Sequence, residues 1–179
     1  LTKRIPIQAG LGGGSADAAA TLRGLNQLWE LNLTLEDLAK LSINLGSDVP
    51  FCVYNQTARV RGRGEIIEFI DAVPSGYVIL VHPGFYCSTK EVFNHAVVGV
   101  QNSGRIDALQ EAIQSSDIAM VAKKIYNDLE QAVYQIRDYR YKEIQNIKEE
   151  LRNAGALGQI MTGSGSVVYG LAVSDKHAQ

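Results

Sequence analysis

The sequence predicts a protein of mixed helices and strands that is divided into two parts near residue 74. Apolar residues recur at the spacing of one helix face, in steps of four, three and four, at Ala18, Leu22, Leu25 and Trp29. Two short segments suited to strands flank Arg61–Gly64, whose glycines indicate a hairpin turn. Proline, serine and glycine then stand together at Pro74–Gly76, where we place a domain boundary.

The remaining elements follow from local signals. The first helix is expected to start near Ser15 and to stop at Asn32. Thr34 and Asp37 have the spacing of a capping box for a second helix, and Gly46 is its expected C-terminal cap. Further helices are predicted at Ser88–Val98, Ile106–Ser115, Asp117–Leu129 and Tyr141–Ala154. Strands are predicted at Phe51–Tyr54, Ala58–Arg61, Ile66–Ile70, Tyr77–Val81, Gln159–Met161 and Val167–Val173, and the end of one at Lys3–Gln8.

The composition excludes several classes of protein. Hydrophobic residues make up 46%, charged residues 20%, and the net charge is -2, which argues against a nucleic-acid binder that neutralises phosphates. Cys52 and Cys87 form no C-x-x-C pair and the histidines are dispersed, so no zinc site is expected. Free thiols are typical of a cytoplasmic protein. No apolar run has the length of a membrane span, so no membrane partner is expected, and the oligomeric state stays open.

A glycine-rich loop, Gly10–Ser15, lies between the predicted strand end and the first helix. Glycines let the backbone approach an anion closely, and the N–H groups and dipole of a helix start favour a polyphosphate. The loop has no Gly-Lys-Ser/Thr ending, which excludes a Walker A loop, and Ser15 stands where the Rossmann pattern needs a glycine. The alternative is a flexible turn without a ligand, although three consecutive glycines before a helix are costly in chain entropy.

Three segments, in order along the chain, resemble the GHMP kinase family. Pro6–Ala19, with the sequence PIQAGLGGGSADAA, is similar to the ATP loop of these kinases. Leu45–Phe51, LGSDVPF, is similar to the G-x-D-[VI]-P segment that carries the catalytic aspartate, and Met161–Gly165, MTGSG, to the third family motif. The triple glycine resembles the branch that acts on 4-diphosphocytidyl-2-C-methyl-D-erythritol, as do Gly62–Glu65 and Asn127–Glu130.

The resemblance implies an α+β kinase with its active site between two domains. Residues 1–72 would be the C-terminal portion of an ATP domain like ribosomal protein S5 domain 2, and residues 73–179 a ferredoxin-like substrate domain. ATP and Mg²⁺ would be the cofactors, with the metal near Ser15, and Gly163, Ser164 and Gly165 would face the ATP loop. The implied ATP-binding residues are Lys3, Pro6, Ile7, Gln8, Ala9, Gly10, Leu11, Gly12, Gly13, Gly14, Ser15 and Ala16.

Asp48 is the implied catalytic residue. It would accept the proton of the substrate's 2-hydroxyl group or orient that hydroxyl. From the residues alone, an aspartate before Val49-Pro50 can equally cap a turn, and the resemblance favours catalysis. One departure is Ser166, which stands where the third motif usually continues with proline.

The chain begins at Leu1, well after the place of the family's active-site lysine. We therefore expect a fragment without its N-terminal part and extreme C-terminus, with little or no kinase activity by itself. Two other functions stay open. One is a different GHMP kinase, of the homoserine or mevalonate type, and the other is a non-catalytic S5-like binding module.

Overall fold

The computed structural model describes residues 1–71, 74–97, 103–136 and 138–179, and it contains both helices and strands. The chain forms two compact units. The N-terminal unit is Gly12–Asp71, and the C-terminal unit combines Leu1–Leu11 with Ala72–Gln179. Within the described ranges, no helix has both the length and the apolar character that a membrane crossing requires.

In the N-terminal unit three helices precede a hairpin: α1 (Gly13–Leu28), α2 (Leu35–Ser42), α3 (Val49–Tyr54), β1 (Ala58–Arg61) and β2 (Ile66–Phe69). The helices share a small apolar core, whose buried members are Ala19, Leu38, Ala39, Val49 and Val53. The predicted capping box is confirmed, because the Thr34 hydroxyl accepts the Asp37 N–H while the Asp37 carboxylate accepts the Thr34 N–H at 3.0 Å.

The predicted hairpin is also present. Strands β1 and β2 pair antiparallel with Arg61 opposite Ile66. Gly64, in the turn, has a φ of 122° and is buried, and a β-carbon there would overlap the carbonyl oxygen of Ser47. The hairpin tip therefore packs on the backbone immediately before Asp48, a contact that only glycine allows.

The C-terminal unit is built around a three-stranded antiparallel sheet with the strand order β3–β5–β4. Helix α8 is strongly amphipathic and packs Ile144, Ile147 and Leu151 into the main core of this unit. Helices α5 and α6 form a second cluster with Leu171 of β5. The elements of the unit are β3 (Tyr77–Val81), α4 (Thr89–His95), α5 (Ser103–Gln114), α6 (Ile118–Lys124), α7 (Leu129–Gln135), α8 (Lys142–Asn153), β4 (Gln159–Met161), β5 (Val168–Ala172) and α9 (Asp175–Ala178).

Several sequence-based predictions in the N-terminal unit are wrong. Phe51–Tyr54 is helical, because Pro50 favours a helix start and Val49 and Val53, four residues apart, pack into the core. Helix α2 ends at Ser42, before the expected cap at Gly46. Trp29 caps α1 and is 61% exposed instead of lying on its apolar face.

Two further predictions differ in the C-terminal unit. Lys3–Gln8 is exposed and is not a strand, since no described strand pairs with it. The helix expected at Asp117–Leu129 is shorter, because α6 ends at Lys124, and α7 (Leu129–Gln135) is a helix that the sequence patterns do not predict. The Asn127 side chain accepts the Leu129 N–H at 2.9 Å at the start of α7. Val98, the expected end of α4, lies outside the described residues.

Candidate active site

The N-terminus of α1 has the features of an anion site. Gly12 precedes the helix with a φ of 65°, no side chain caps the helix, and its first turn carries no acidic residue. A β-carbon at Gly12 or Gly14 would meet no protein atom within 4 Å. The amide groups of the first turn therefore face space that side chains would fill, which fits a phosphate group at the positive end of the helix dipole.

Gly10, in the same loop, is a glycine for a different reason. Its φ is 75°, and a β-carbon would overlap the carbonyl oxygen of Thr162. The Thr162 hydroxyl donates to the Gly10 carbonyl at 2.8 Å, and the Val167 N–H donates to the carbonyl of buried Ala9 at 3.2 Å. The structure thus brings the start of the glycine-rich loop against the Thr162–Ser166 loop within the C-terminal unit.

Several hydrogen bonds hold the Thr162–Ser166 loop in place. Its own turn is closed by the Gly165 N–H, which donates to the Thr162 carbonyl at 2.9 Å. The Ser164 hydroxyl lies 2.9 Å from the hydroxyl of Thr89, and the buried Ser166 hydroxyl donates to the Phe85 carbonyl. The glycines Gly163 and Gly165 have positive φ angles of 54° and 85°.

Asp48 precedes α3 and is exposed, and its side chain makes no capping hydrogen bond to that helix. The turn-capping alternative therefore lacks the contact that would define it. The Asp48 carbonyl accepts the Cys52 N–H at 3.1 Å, which fixes the backbone. Burial and the Asp48 charge raise the pKa of the Cys52 thiol, while Arg23 lowers it, so Asp48 lies near the contact between α1 and α3.

The other implied ATP residues lie on either side of the glycines. Lys3, Pro6, Ile7 and Gln8 are exposed, and Gln8 has a positive φ of 53°. Among the later residues, Leu11 and Ser15 are half-buried, Gly13 is the first residue of α1, and exposed Ala16 donates its N–H to the Gly12 carbonyl at 2.9 Å.

No group of three or more acidic, histidine or cysteine side chains suited to a metal ion occurs among the described residues. Ser15, for which the family resemblance implies a place near Mg²⁺, is the third residue of α1, directly after Gly14.

In the sequence, Asn127–Glu130 show only a family resemblance, which implies no role for them. In the structure the Asn127 amide donates to the carbonyls of Met161 and Gly163, each at 2.7 Å, and the Glu130 carboxylate accepts the Met161 N–H at 2.7 Å. The partners of Asn127 and Glu130 lie more than 30 residues away in the chain, so local sequence patterns do not indicate these contacts.

Two family models match the chain: the GHMP kinases N terminal domain over residues 1–56 and GHMP kinases C terminal over residues 109–179. The chain is 46% identical over all 179 residues to a 4-diphosphocytidyl-2-C-methyl-D-erythritol kinase of Geobacillus sp. (strain WCH70), covering 61% of that protein. A Shouchella clausii (strain KSM-K16) protein of the same name is 42% identical over 171 residues, which is 96% of this chain and 56% of that protein. The chain thus spans less than two thirds of the length of these relatives.

Solved structures agree with these matches. A crystal structure of 4-(cytidine 5'-diphospho)-2C-methyl-D-erythritol kinase aligns with a TM-score of 0.75 at 30% identity, over 98% of this chain and 61% of that chain. Homoserine kinase from Cytophaga hutchinsonii ATCC 33406 also has a TM-score of 0.75, at 20% identity over 99% of this chain and 61% of that chain. At that identity the second likeness shows the fold alone.

Proposed function

Because this chain belongs to the GHMP kinase family, we propose that its protein transfers the γ-phosphoryl group of ATP to the 2-hydroxyl of 4-diphosphocytidyl-2-C-methyl-D-erythritol. This is a step in non-mevalonate isoprenoid precursor biosynthesis. The observation that carries the proposal is the 46% identity, over the whole chain, to a relative of that name. ATP is the co-substrate that the family implies, and the α1 N-terminus supplies a fitting site for its phosphates.

Phosphoryl transfer asks little covalent chemistry of the protein, since positioning and charge stabilisation carry most of the catalysis. In the proposed reaction the oxygen of the 2-hydroxyl attacks the γ-phosphorus, the bond to the β–γ bridging oxygen breaks, and ADP leaves. Asp48 accepts the hydroxyl proton or orients the hydroxyl group. The support for this role is its exposed carboxylate, which does not cap α3, on a fixed backbone.

The other assignments complete the proposal. The amides after Gly12 hold the phosphates, and Mg²⁺, bound near Ser15, supplies charge neutralisation. Gly163, Ser164 and Gly165 bring amides toward the transferred phosphate, and the support is the bond from Thr162 to Gly10 of the ATP loop. We assign residues 1–72 to the C-terminal portion of the ATP domain and residues 73–179 to the substrate domain, with the small-molecule substrate and ATP as partners.

We also propose a cytoplasmic location and no nucleic-acid partner. Both cysteines are free thiols, as in a reducing compartment. The net charge of -2 provides no excess of cations for RNA phosphates, which disfavours the S5-like binding module.

The test is ATP-dependent turnover by the complete protein that contains this chain. ADP release would be followed with Mg²⁺-ATP and, in separate reactions, 4-diphosphocytidyl-2-C-methyl-D-erythritol, homoserine or mevalonate, with a reaction lacking alcohol as the background. We expect turnover with the cytidine compound alone and competition by CDP. Turnover with homoserine or mevalonate, without a response to CDP, would assign the protein to another branch of the family.

A further inference from the structure

Asn127 is a half-buried amide whose hydrogen-bonding groups are all engaged. Its two N–H groups point to the carbonyls of Met161 and Gly163, each at 2.7 Å, and its oxygen accepts the Leu129 N–H at 2.9 Å. An amide has two donors and one acceptor oxygen, so this set of contacts uses both donors and determines the orientation of the group. The start of α7 and the end of β4 are thereby joined through one side chain.

Glu130 makes a second connection to the same strand end. One carboxylate oxygen accepts the Met161 N–H at 2.7 Å, and the other accepts from the Lys148 ammonium at 2.5 Å. The two charged side chains are only 12% and 19% exposed. Tyr134 lies beside them, and burial together with Glu130 raises the pKa of its hydroxyl to about 12. A buried carboxylate needs such partners, because an unpaired charge in this position would be costly.

The backbone held by these two side chains leads directly to the ATP loop. Between the Met161 and Gly163 carbonyls lies Thr162, whose hydroxyl donates to the Gly10 carbonyl at 2.8 Å. A β-carbon at Gly163 would stand 3.1 Å from the same Gly10 oxygen, so the two loops are closely packed there. A displacement of Met161–Gly163 would therefore also shift Gly10.

We propose that Asn127 and Glu130 are positioning residues for phosphoryl transfer. They fix Met161–Gly163, and through Thr162 this backbone sets the position of Gly10 and of the amides at Gly163–Gly165. The inference rests on the proposed function. Neither residue is assigned a contact with substrate, so their effect is expected in the turnover step, which depends on geometry to within about 1 Å.

The test uses Asn127→Asp in the complete protein. This change keeps the oxygen that accepts the Leu129 N–H, removes both donors, and places a carboxylate against two carbonyl oxygens. We expect kcat per folded molecule to fall about 10- to 100-fold, with the Kd for Mg²⁺-ATP changed by less than about threefold, well under the tenfold that 1.4 kcal/mol represents. Hydrogen exchange should accelerate in peptides covering Met161–Val167 and stay unchanged in those covering α8.

Asn26 provides a matched control. Its amide donates to the Leu33 carbonyl and accepts the Leu33 N–H, both at 3.0 Å, at the connection between α1 and α2. Asn26→Asp removes one hydrogen-bonded donor and keeps the acceptor, whereas Asn127→Asp removes two such donors and keeps the acceptor. It should lower the melting temperature while leaving kcat per folded molecule unchanged.

Glu130 is tested by rescue. Glu130→Ala removes the acceptor of the Met161 N–H and should lower kcat as Asn127→Asp does. The double variant Glu130→Gln with Lys148→Gln removes the ion pair but keeps an oxygen for Met161, and it should recover most of the wild-type kcat. A double variant as slow as Glu130→Ala would contradict the role assigned to the Met161 contact.

Different outcomes test the positioning role and the proposed function. An active wild-type protein in which Asn127→Asp accelerates loop exchange but keeps its kcat would overturn the positioning role alone. A kcat loss that Asn26→Asp reproduces would also overturn it, because both would then report general destabilisation. A wild-type protein without turnover on the cytidine compound would overturn the proposed function, and this inference with it.

Discussion

The candidate groups of the two units differ in what surrounds them. In the N-terminal unit, Gly12 and Gly14 face open space, and Asp48 is exposed, with a side chain that makes no capping hydrogen bond to the helix that it precedes. In the C-terminal unit, Gly10 and the Thr162–Ser166 loop are held by protein atoms on several sides. One glycine-rich motif therefore contains both glycines that leave room for a ligand and a glycine that lets the backbone pack.

The largest effect is expected at the open carboxylate. Asp48→Asn keeps the shape of the side chain and removes its charge, so kcat should fall by about two to four orders of magnitude, the usual contribution of a positioned base. Nucleotide affinity and melting temperature should stay nearly constant. Steady-state kinetics, calorimetric titration with Mg²⁺-ATP and thermal denaturation of the complete protein measure these three quantities.

Asp117 is the matched control, because it also precedes a helix but does cap it, accepting the N–H groups of Ala119 and Met120. Asp117→Ala should cost about 1 kcal/mol of stability and leave kcat per folded molecule unchanged. Near-wild-type turnover in Asp48→Asn would end the catalytic assignment.

The next effect is expected at the packed glycine. Gly10→Ala requires a left-handed conformation that costs about 1–2 kcal/mol, and its methyl group would overlap the Thr162 carbonyl, which adds about 1–3 kcal/mol. Urea denaturation of the complete protein should show this loss in the free energy of unfolding. A variant as stable as the wild type would show that the two loops do not pack as described.

Gly14→Ala should raise the stability of the protein, whereas Gly10→Ala should lower it. Gly14 is helical and its surroundings are open, so alanine should stabilise α1 by about 0.5–1 kcal/mol. The same methyl group would occupy the space proposed for phosphate, and we expect the Kd for ATP to rise about tenfold, equivalent to 1.4 kcal/mol. Calorimetric titration with Mg²⁺-ATP measures this change in Kd. A stabilised variant with unchanged ATP affinity would contradict the phosphate position proposed at Gly14.

Lys3 belongs to the C-terminal unit but, unlike Gly10, is exposed. Lys3 is one of the residues that the family resemblance implies for ATP binding, and we expect Lys3→Ala to raise the KM for ATP a few-fold, about the effect of one exposed charge. The KM for the alcohol should not change. The reverse pattern in initial-rate kinetics would refute the assignment.

The smallest effect concerns alkaline pH in the C-terminal unit. Burial raises the pKa of Cys87 to about 11 and of Tyr141 to about 12. Both groups are neutral below their ordinary values of 9.0 and 10.0, and above these the unfolded chain loses its protons first. The contribution of these two groups to the free energy of unfolding is therefore fully present below pH 9 and should be lost as pH rises through the folded-state pKa values. Melting temperatures from pH 8 upward test this, and Cys87→Ala should flatten the decline between about pH 9 and 11.

The elements that could be predicted from sequence are those with local signals. The Thr34 capping box and the Arg61–Gly64 turn have their determinants within a few residues, and both are present in the structure. Phe51–Tyr54 is apolar and contains a β-branched residue, which predicts a strand. Tertiary packing of Val53 against the other helices, together with Pro50, makes the segment helical.

The candidate site likewise has parts that local sequence signals predict and parts that depend on distant residues. A ligand site at the α1 N-terminus follows from the glycines and from the helix that begins there. The role of Gly10 could not be predicted, because its partner Thr162 is 152 residues away. Asn127 and Glu130 are polar residues in a helical region, and only the folded structure brings them to the end of β4.

The phosphorus spectrum of the reaction product tests the proposed phosphorylation of the 2-hydroxyl group. The C2 carbon of the proposed substrate bears a methyl group and no hydrogen, so a phosphate on the 2-hydroxyl has no three-bond coupling to a proton. The complete protein, incubated with Mg²⁺-ATP and 4-diphosphocytidyl-2-C-methyl-D-erythritol, should produce one new phosphomonoester resonance that remains a singlet in the proton-coupled ³¹P spectrum. A split resonance, or ATP consumption without a new ester, would contradict the proposed reaction.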